Sequence, residues 1–517
     1  MQKIQITLIN KIGIIFEYKF SCASILAFLT AFSFRLFPEI LAGKWPLGFD
    51  TITYYAPVME NWSNGNFNPA DFNYYAPLCF LLLYFAYSLS GNVFLTLKIF
   101  GPLLYGFLSF SLFFFTTKGL NWSNKKGLLA CIVFSAYFVS LRISWDLYRN
   151  MLGLALLFIF LSFFKQHNKL SNKLKLTSSI LATLIVLSHE ITSAIMFFII
   201  IGSFISEIFE NKKPLTKVLK RSSWFAPPLL LFLFIFFASA TLLGTIPGSL
   251  NYLTSTVRSV TYDSYQSLVS DISMVGILCF GGLLLFIIRG FWSDRILNLW
   301  LMVCLMGSLW PIVYPWFEIV PWNRWMYMLA SPLILYTVNE IEGLHDSRVK
   351  KTYHNARKFS LKKVFFPTIL MVISICYILS PLIVSSHTVC PSFLAPFERV
   401  SAYLPADFLS NTFPIDDCED LEICLKFVNS KLDNHSVLIV HESLSGWASL
   451  YIDEDKNVIN YNFQTPLEGL KTALAQGYEE IHMIWWVEGL GWYNQNEIPA
   501  GFQQQFTSCR IAVYLYT

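Results

Sequence analysis

The chain has 517 residues, of which 55% are hydrophobic, 17% are aromatic and only 14% are charged. Ordinary soluble domains carry about 25% charged residues, so this composition excludes a soluble fold. The net charge of +4 points to no nucleic-acid partner, and the informative property of Lys and Arg is where along the chain they fall.

Apolar runs long enough to cross the hydrocarbon core as helices, which satisfy their own backbone polar groups, recur down to about Ile383. The first, Lys19 to Phe37, includes Arg35 and leads into PEILAGKWPLGFD, which is no cleavage site, so it reads as a retained span. Lys3, Lys11 and Lys19 precede it, and a polar-aromatic loop poor in basic residues follows, which puts the amino terminus inside and the loop, residues 38–93, outside. Within that loop the run Pro77 to Ser90 is short for a crossing and reads as a juxtamembrane helix.

Span two is expected at Phe94 to Thr116, and spans three and four at Gly127 to Ile143 and Leu147 to Phe164, joined outside by the turn SWDLYRN. The apolar stretch Leu176 to Ser206 has basic flanks on both sides, so it must cross twice, with His189 and Glu190 at the outer tip of a hairpin. Later spans are expected at Ser223 to Leu243, Ile272 to Ile288, Ile296 to Val313, Trp325 to Val338 and Val364 to Ile383. The expectation is thus a polytopic α-helical membrane protein of about eleven spans, amino-in and carboxy-out. Residues 1–385 form the membrane domain. After about Ser386 the strand-like runs SVLIVHE, GWASLYI, IHMIWW and RIAVYLY alternate with helical patterns, which predicts a small α/β domain at 386–517 on the exoplasmic side. Cys390, Cys418, Cys424 and Cys509 all fall there, where one or two disulfides would suit an oxidising compartment.

This topology collects charged residues at the outer ends of spans: Asp50, Asp146, Arg149, His189, Glu190 and Arg324. Ionisable groups at membrane depth are costly and line polar cavities, although each alone also reads as a loop-end charge that snorkels. Asp50 sits in PLGFDTITYYAP, where Gly48 allows a turn, Tyr54 and Tyr55 offer ring faces to a sugar, and the carboxylate suits a general base. Asp146 reads either as a helix cap paired with Arg149 or as part of a metal or phosphate site. His189 and Glu190, larger than a hairpin tip requires, suit metal ligation or a phosphate, with no spaced motif such as HExxH around them. Arg324, in VPWNRWMYMLASPL beside Trp325, has the fork that grips two phosphate oxygens.

In this order, GFDTITYY, LRISWDLYRNMLGLAL, SHEITSA and NRWMYMLASPL resemble the GT-C superfamily of membrane glycosyltransferases, over roughly Phe20 to Leu335. The resemblance implies a polyprenyl-phosphate-linked sugar donor, dolichyl phosphate included, an exoplasmic glycan, lipid or protein acceptor, and membrane lipid as a partner. It implies that Asp50 is the catalytic base or site acid, that Asp146 places a metal or the acceptor, and that Arg324 holds the lipid phosphate; the residues themselves add Tyr54, Tyr55, Arg149 and Trp325 as substrate-binding, and His189 and Glu190 beside Asp146 as ligands of a divalent metal, magnesium or manganese. Asp146 lacks a DxD partner, and IWWVEGLGWY stands where an oligosaccharyltransferase would carry WWDYG, so a single-sugar transferase of the plasma membrane is the implied member. A transporter or flippase of a lipid-linked solute, and a non-catalytic scaffold with an exported recognition domain, are the rival readings.

Overall fold

The computed structural model describes residues 22–65, 77–165, 172–209, 214–235, 262–281, 283–284, 294–316, 322–351, 415–461, 466–487 and 498–516. The membrane part is all helical. Helix α1 (Cys22–Leu41) leads through a loop and a π-helical turn (Thr51–Tyr55) into the short α2 (Ala56–Ser63); α3 (Pro77–Ser90) and α4 (Val93–Phe114) follow. Then come α5 (Asn124–Ala136), α6 (Phe138–Asp146), α7 (Tyr148–Phe164), α8 (Asn172–Val186) and α9 (Glu190–Phe209). The later helices are α10 (Leu215–Ser222), α11 (Ala226–Leu233), α12 (Tyr262–Val275), α13 (Arg295–Val313) and α14 (Trp322–Lys351).

Among the described residues four helical stretches are long and apolar enough to cross a membrane: Cys22–Leu41, Val93–Gly119, Glu190–Phe209 and Arg295–Val313. Asn124–Ala136 and Phe138–Asp146 make a fifth if taken together, bent by 65°. The hairpin of α8 and α9 breaks at 187–189, at the polar tip anticipated from the sequence. The expected last span, Val364 to Ile383, lies outside the described residues, as do the later parts of those at Ser223 and Ile272.

The bend corrects the expectation of one straight third span. Tyr137 at the break takes extended dihedrals, φ −75° and ψ 127°, so α6 starts in a new direction. Breaking a helix in an apolar setting exposes carbonyls that must find donors. Here the Tyr105 hydroxyl from α4 donates to the Phe134 and Ser135 carbonyls at 3.3 and 3.1 Å. The consequence is functional in location: α6 is wholly buried and ends at Asp146.

The carboxy-terminal part is an α/β unit. It comprises α15 (Ile415–Asn429), β1 (Ser436–His441), α16 (Ser445–Tyr451), β2 (Val458–Tyr461), α17 (Pro466–Ala475), β3 (Glu480–Trp486), β4 (Phe502–Ser508) and β5 (Ile511–Tyr516). The sheet order is β2-β1-β3-β5-β4, parallel across β2, β1 and β3 and antiparallel thereafter. The interior strands β1 and β3 are buried almost throughout, as uninterrupted apolar runs require, while the edge strand β4 exposes its glutamines. Trp447, Trp485 and Trp486 are buried in this core. Cys418, Cys424 and Cys509 are free thiols, contrary to a disulfide among them, and Cys390 lies outside the described residues.

This unit sits on the first loop of the membrane part. Trp45 and Ile52 from that loop belong to its apolar core, and the Trp45 ring packs on Trp447 at 5.3 Å. Lys44 pairs with Glu422 at 2.7 Å. At Gly446 the backbones nearly touch, since a Cβ there would lie 2.1 Å from the Thr53 carbonyl oxygen.

Candidate active site

The site begins with a glycine. Gly48 has φ +107°, and a Cβ on it would lie 2.3 Å from the Trp145 carbonyl oxygen and 2.9 Å from Asp146 Cβ. Only a residue without a side chain lets the first loop lie on the end of α6 in this conformation. Asp50 follows two residues later, at the start of the π-helical turn, half-buried, and its side chain forms no capping hydrogen bond. Burial pushes its carboxyl up to about 7; the negative charge of Asp146 adds to this, and the positive charges of Arg324, Arg142 and Arg149 oppose it.

Around Asp50 the cationic and anionic groups are paired in a definite pattern. Asp146 is buried and pairs with Arg142, one turn back on α6, at 2.6 Å. The Arg142 guanidinium lies 5.4 Å from the centre of the Tyr327 ring on α14. Arg149, on the first turn of α7, pairs with Glu190 at the start of α9 at 2.7 Å. His189 Nε2 is 3.5 Å from Glu190, and its Nδ1 faces the Thr192 hydroxyl at 2.8 Å. Burial lowers His189 to about 4, with Glu190 opposing and Arg149 and Arg324 adding to the shift, so the imidazole is neutral near pH 7. Arg324, half-buried on the first turn of α14, bears electrostatically on Asp50, His189 and Glu190.

Folding therefore gathers Asp50, Asp146, Arg149, His189, Glu190 and Arg324 into one neighbourhood, but several expected partnerships change. Asp146 is neither a helix cap nor a partner of Arg149: it ends α6, and Leu147 breaks the chain before α7. Arg142 is the partner instead, and its i, i+4 spacing from Asp146 was the sequence signal for it. Tyr55 does not offer a ring face, because it is buried and stacked on Tyr148 at 5.0 Å and 10°. Tyr54 stays half-buried beside it. Trp325 turns into the helix bundle, where it lies against Gly307 of α13, and so does not line the site as expected.

The donor set of Asp146, His189 and Glu190 does not suit a divalent cation. Both carboxylates are engaged by arginines at 2.6 and 2.7 Å, and among the described residues no three His, Cys, Asp or Glu side chains converge closely enough to hold a metal ion. A cation there would meet two guanidiniums that already neutralise its ligands. What the arrangement does offer is unused hydrogen-bond donors: Arg149 Nε and Asn150 Nδ2, adjacent on the first turn of α7, are buried without a partner. Buried donors left open in a cationic setting suit an anion or a polyhydroxylated ligand.

No protein-family model and no curated protein matches the sequence. Among solved structures the chain is similar to ArnT from Cupriavidus metallidurans bound to undecaprenyl phosphate, with 11% identity over 95% of this chain and 97% of that one, at a TM-score of 0.48. The same protein in its apo state aligns over 93% and 96%, with 11% identity and a TM-score of 0.46. An apo oligosaccharyltransferase from Archaeoglobus fulgidus aligns over 90% of this chain and 69% of its own, with 13% identity and a TM-score of 0.46. At such scores the functional reading rests on the residues themselves.

Proposed function

We propose that the chain is an integral membrane glycosyltransferase that moves a sugar from a polyprenyl-phosphate-linked donor to an exoplasmic acceptor, with its carboxy-terminal unit on the same side. The observation that carries this reading is Asp50: a carboxylate free of a capping bond, held near neutrality in its titration, and surrounded by arginines that suit a phosphate. A base and an anion-binding group in one pocket are what transfer from a lipid phosphate requires.

The reaction is a single inverting displacement. The acceptor hydroxyl oxygen attacks the anomeric carbon and forms the new glycosidic bond as the bond from that carbon to the phosphate oxygen breaks. Asp50 accepts the hydroxyl proton. The electron pair of the broken bond leaves with the polyprenyl phosphate, whose added negative charge is met by Arg324 and by the open Nε–H of Arg149. A phosphate whose charge is held leaves without a proton, so no general acid is needed. Glu190 holds Arg149 in place, and Tyr54 is the aromatic surface remaining for the sugar.

The test is transfer from a radiolabelled polyprenyl-phosphate sugar in proteoliposomes. Asp50→Asn should lower the rate about 10²-fold or more, and undiminished transfer by that variant would remove Asp50 from the mechanism. Movement of the intact donor across the bilayer, unaffected by Asp50→Asn and without any transfer, would favour a flippase.

A further inference from the structure

A second charge cluster lies beneath the site, and the proposed transfer makes no use of it. Arg35 and Glu39, both fully buried near the end of α1, form an ion pair at 2.6 Å. Arg35 Nε donates to the Ser144 carbonyl at 2.9 Å and Nη2 to the Trp145 carbonyl at 3.2 Å, with the guanidinium 5.0 Å from the centre of the Trp145 ring. Those carbonyls belong to the last turn of α6, immediately before Asp146. Glu39 faces the other way, accepting the backbone N–H of Leu47 at 3.1 Å, one residue before Gly48. Lys98 on α4 closes the cluster, with Nζ 3.7 Å from the Glu39 carboxylate and donating to the Trp45 carbonyl at 3.1 Å.

A single ion pair thus holds two backbones: the loop that carries Asp50 and the helix end that carries Asp146. We propose that Arg35 and Glu39 are positioning residues that set the register of the Asp50 loop against the end of α6. This rests on the reading of Asp50 as the base of the transfer.

Stability alone is a poor reason for the pair. Two charges buried near the end of an apolar helix cost desolvation that well-packed apolar side chains would avoid. Arg35 Nη1 is moreover buried with no hydrogen-bond partner. Aim is a better reason. Only a guanidinium serves one carboxylate and two carbonyls at fixed angles, whereas an ammonium is a point charge on a flexible stem. Gly48 lies in contact distance of Trp145, so sliding of one segment along the other is what remains to be prevented.

The experiment compares wild type, Arg35→Lys and the apolar pair Arg35→Met with Glu39→Leu, each purified and shown to melt as the wild type does. In the transfer assay the variants should lose roughly 10-fold to 100-fold in kcat, as misplacement near 1 Å does, while KM for the donor changes little. The rising limb of the rate against pH should move to lower pH, because Asp146 is no longer held beside Asp50. A structural role alone would leave that limb in place. If the apolar pair fails to fold, Arg35→Lys decides. Wild-type kcat and pH profile in the folded variants would overturn the proposal.

Hydrogen exchange separates this outcome from failure of the glycosyltransferase reading. The amides around Leu47 and those around Trp145 should exchange faster together in the variants whether or not any sugar is transferred. Unchanged protection at both segments would also overturn the register proposal. Loss of protection with Asp50→Asn fully active would instead keep the register and overturn the role of Asp50.

Discussion

A carboxyl group that is half out of water, beside another carboxylate and faced by three guanidiniums, titrates where those opposing influences leave it. For Asp50 that is about 7, chiefly through burial. Because the ionised form is the one that accepts a proton, transfer at limiting substrate should rise with pH through about 7 and level off above it. Asp146→Asn removes the like charge and releases Arg142 toward the site, both of which stabilise ionised Asp50, so the limb should move to lower pH. A rate independent of pH across neutrality would show that Asp50 carries no proton in the transfer. Residue identities were legible here to a useful degree. Asp50, Arg149, Glu190 and Arg324 were all marked out by their position at expected span ends. Of their partners, Arg142 stands at i, i+4 spacing from Asp146 and was legible in the sequence, whereas the Arg149–Glu190 pair joins α7 to α9 and was not.

At the scale of elements, the periodicity of apolar residues located most helices and the strands β1, β3 and β5, because burial of a face or of a whole strand leaves its mark on composition, but the strand-like run GWASLYI folds as the helix α16, a short apolar run being ambiguous between the two. The bend between α5 and α6 left no such mark. FSAYFV contains neither Pro nor Gly, and the donors that make the bend tolerable come from Tyr105 on another helix. The contact between α16 and the first loop was equally hidden, although it bears directly on the site. Gly446 lies against the carbonyl of Thr53, three residues past Asp50, and the Thr53 hydroxyl reaches toward Ser443 at 3.4 Å. Gly446→Val would force the two backbones apart at a cost of roughly 1–3 kcal/mol. Transfer should fall by about tenfold or more through displacement of the Asp50 turn, measured beside the melting temperature of the same preparation. Wild-type transfer by folded Gly446→Val protein would show that the carboxy-terminal unit does not support the Asp50 loop.

On the scale of the whole molecule, the packing of the α/β unit on the first loop ties the two to one side of the membrane. Asp50 and the carboxy-terminal sheet should accordingly be exoplasmic together. Cys509 is exposed at the β4–β5 turn and provides the probe. A membrane-impermeant maleimide should label it in sealed right-side-out vesicles, with the label lost in Cys509→Ser. Labelling only after permeabilisation would invert the topology and put Asp50 in the cytoplasm.

Composition and the order of apolar runs by themselves determined that the chain is built for a membrane, that a sheet-containing unit follows the helices, and which ionisable residues stand at the helix ends. These are local consequences of the hydrophobic effect and of backbone hydrogen bonding, and they are written residue by residue. Which charges pair between separate elements, which aromatic rings are buried, and how Arg35 and Glu39 come to hold both the Asp50 loop and the Asp146 helix end were decided only in three dimensions. The hydrogen bonds from Arg35 reach carbonyls about a hundred residues along the chain, and no local pattern records such distances.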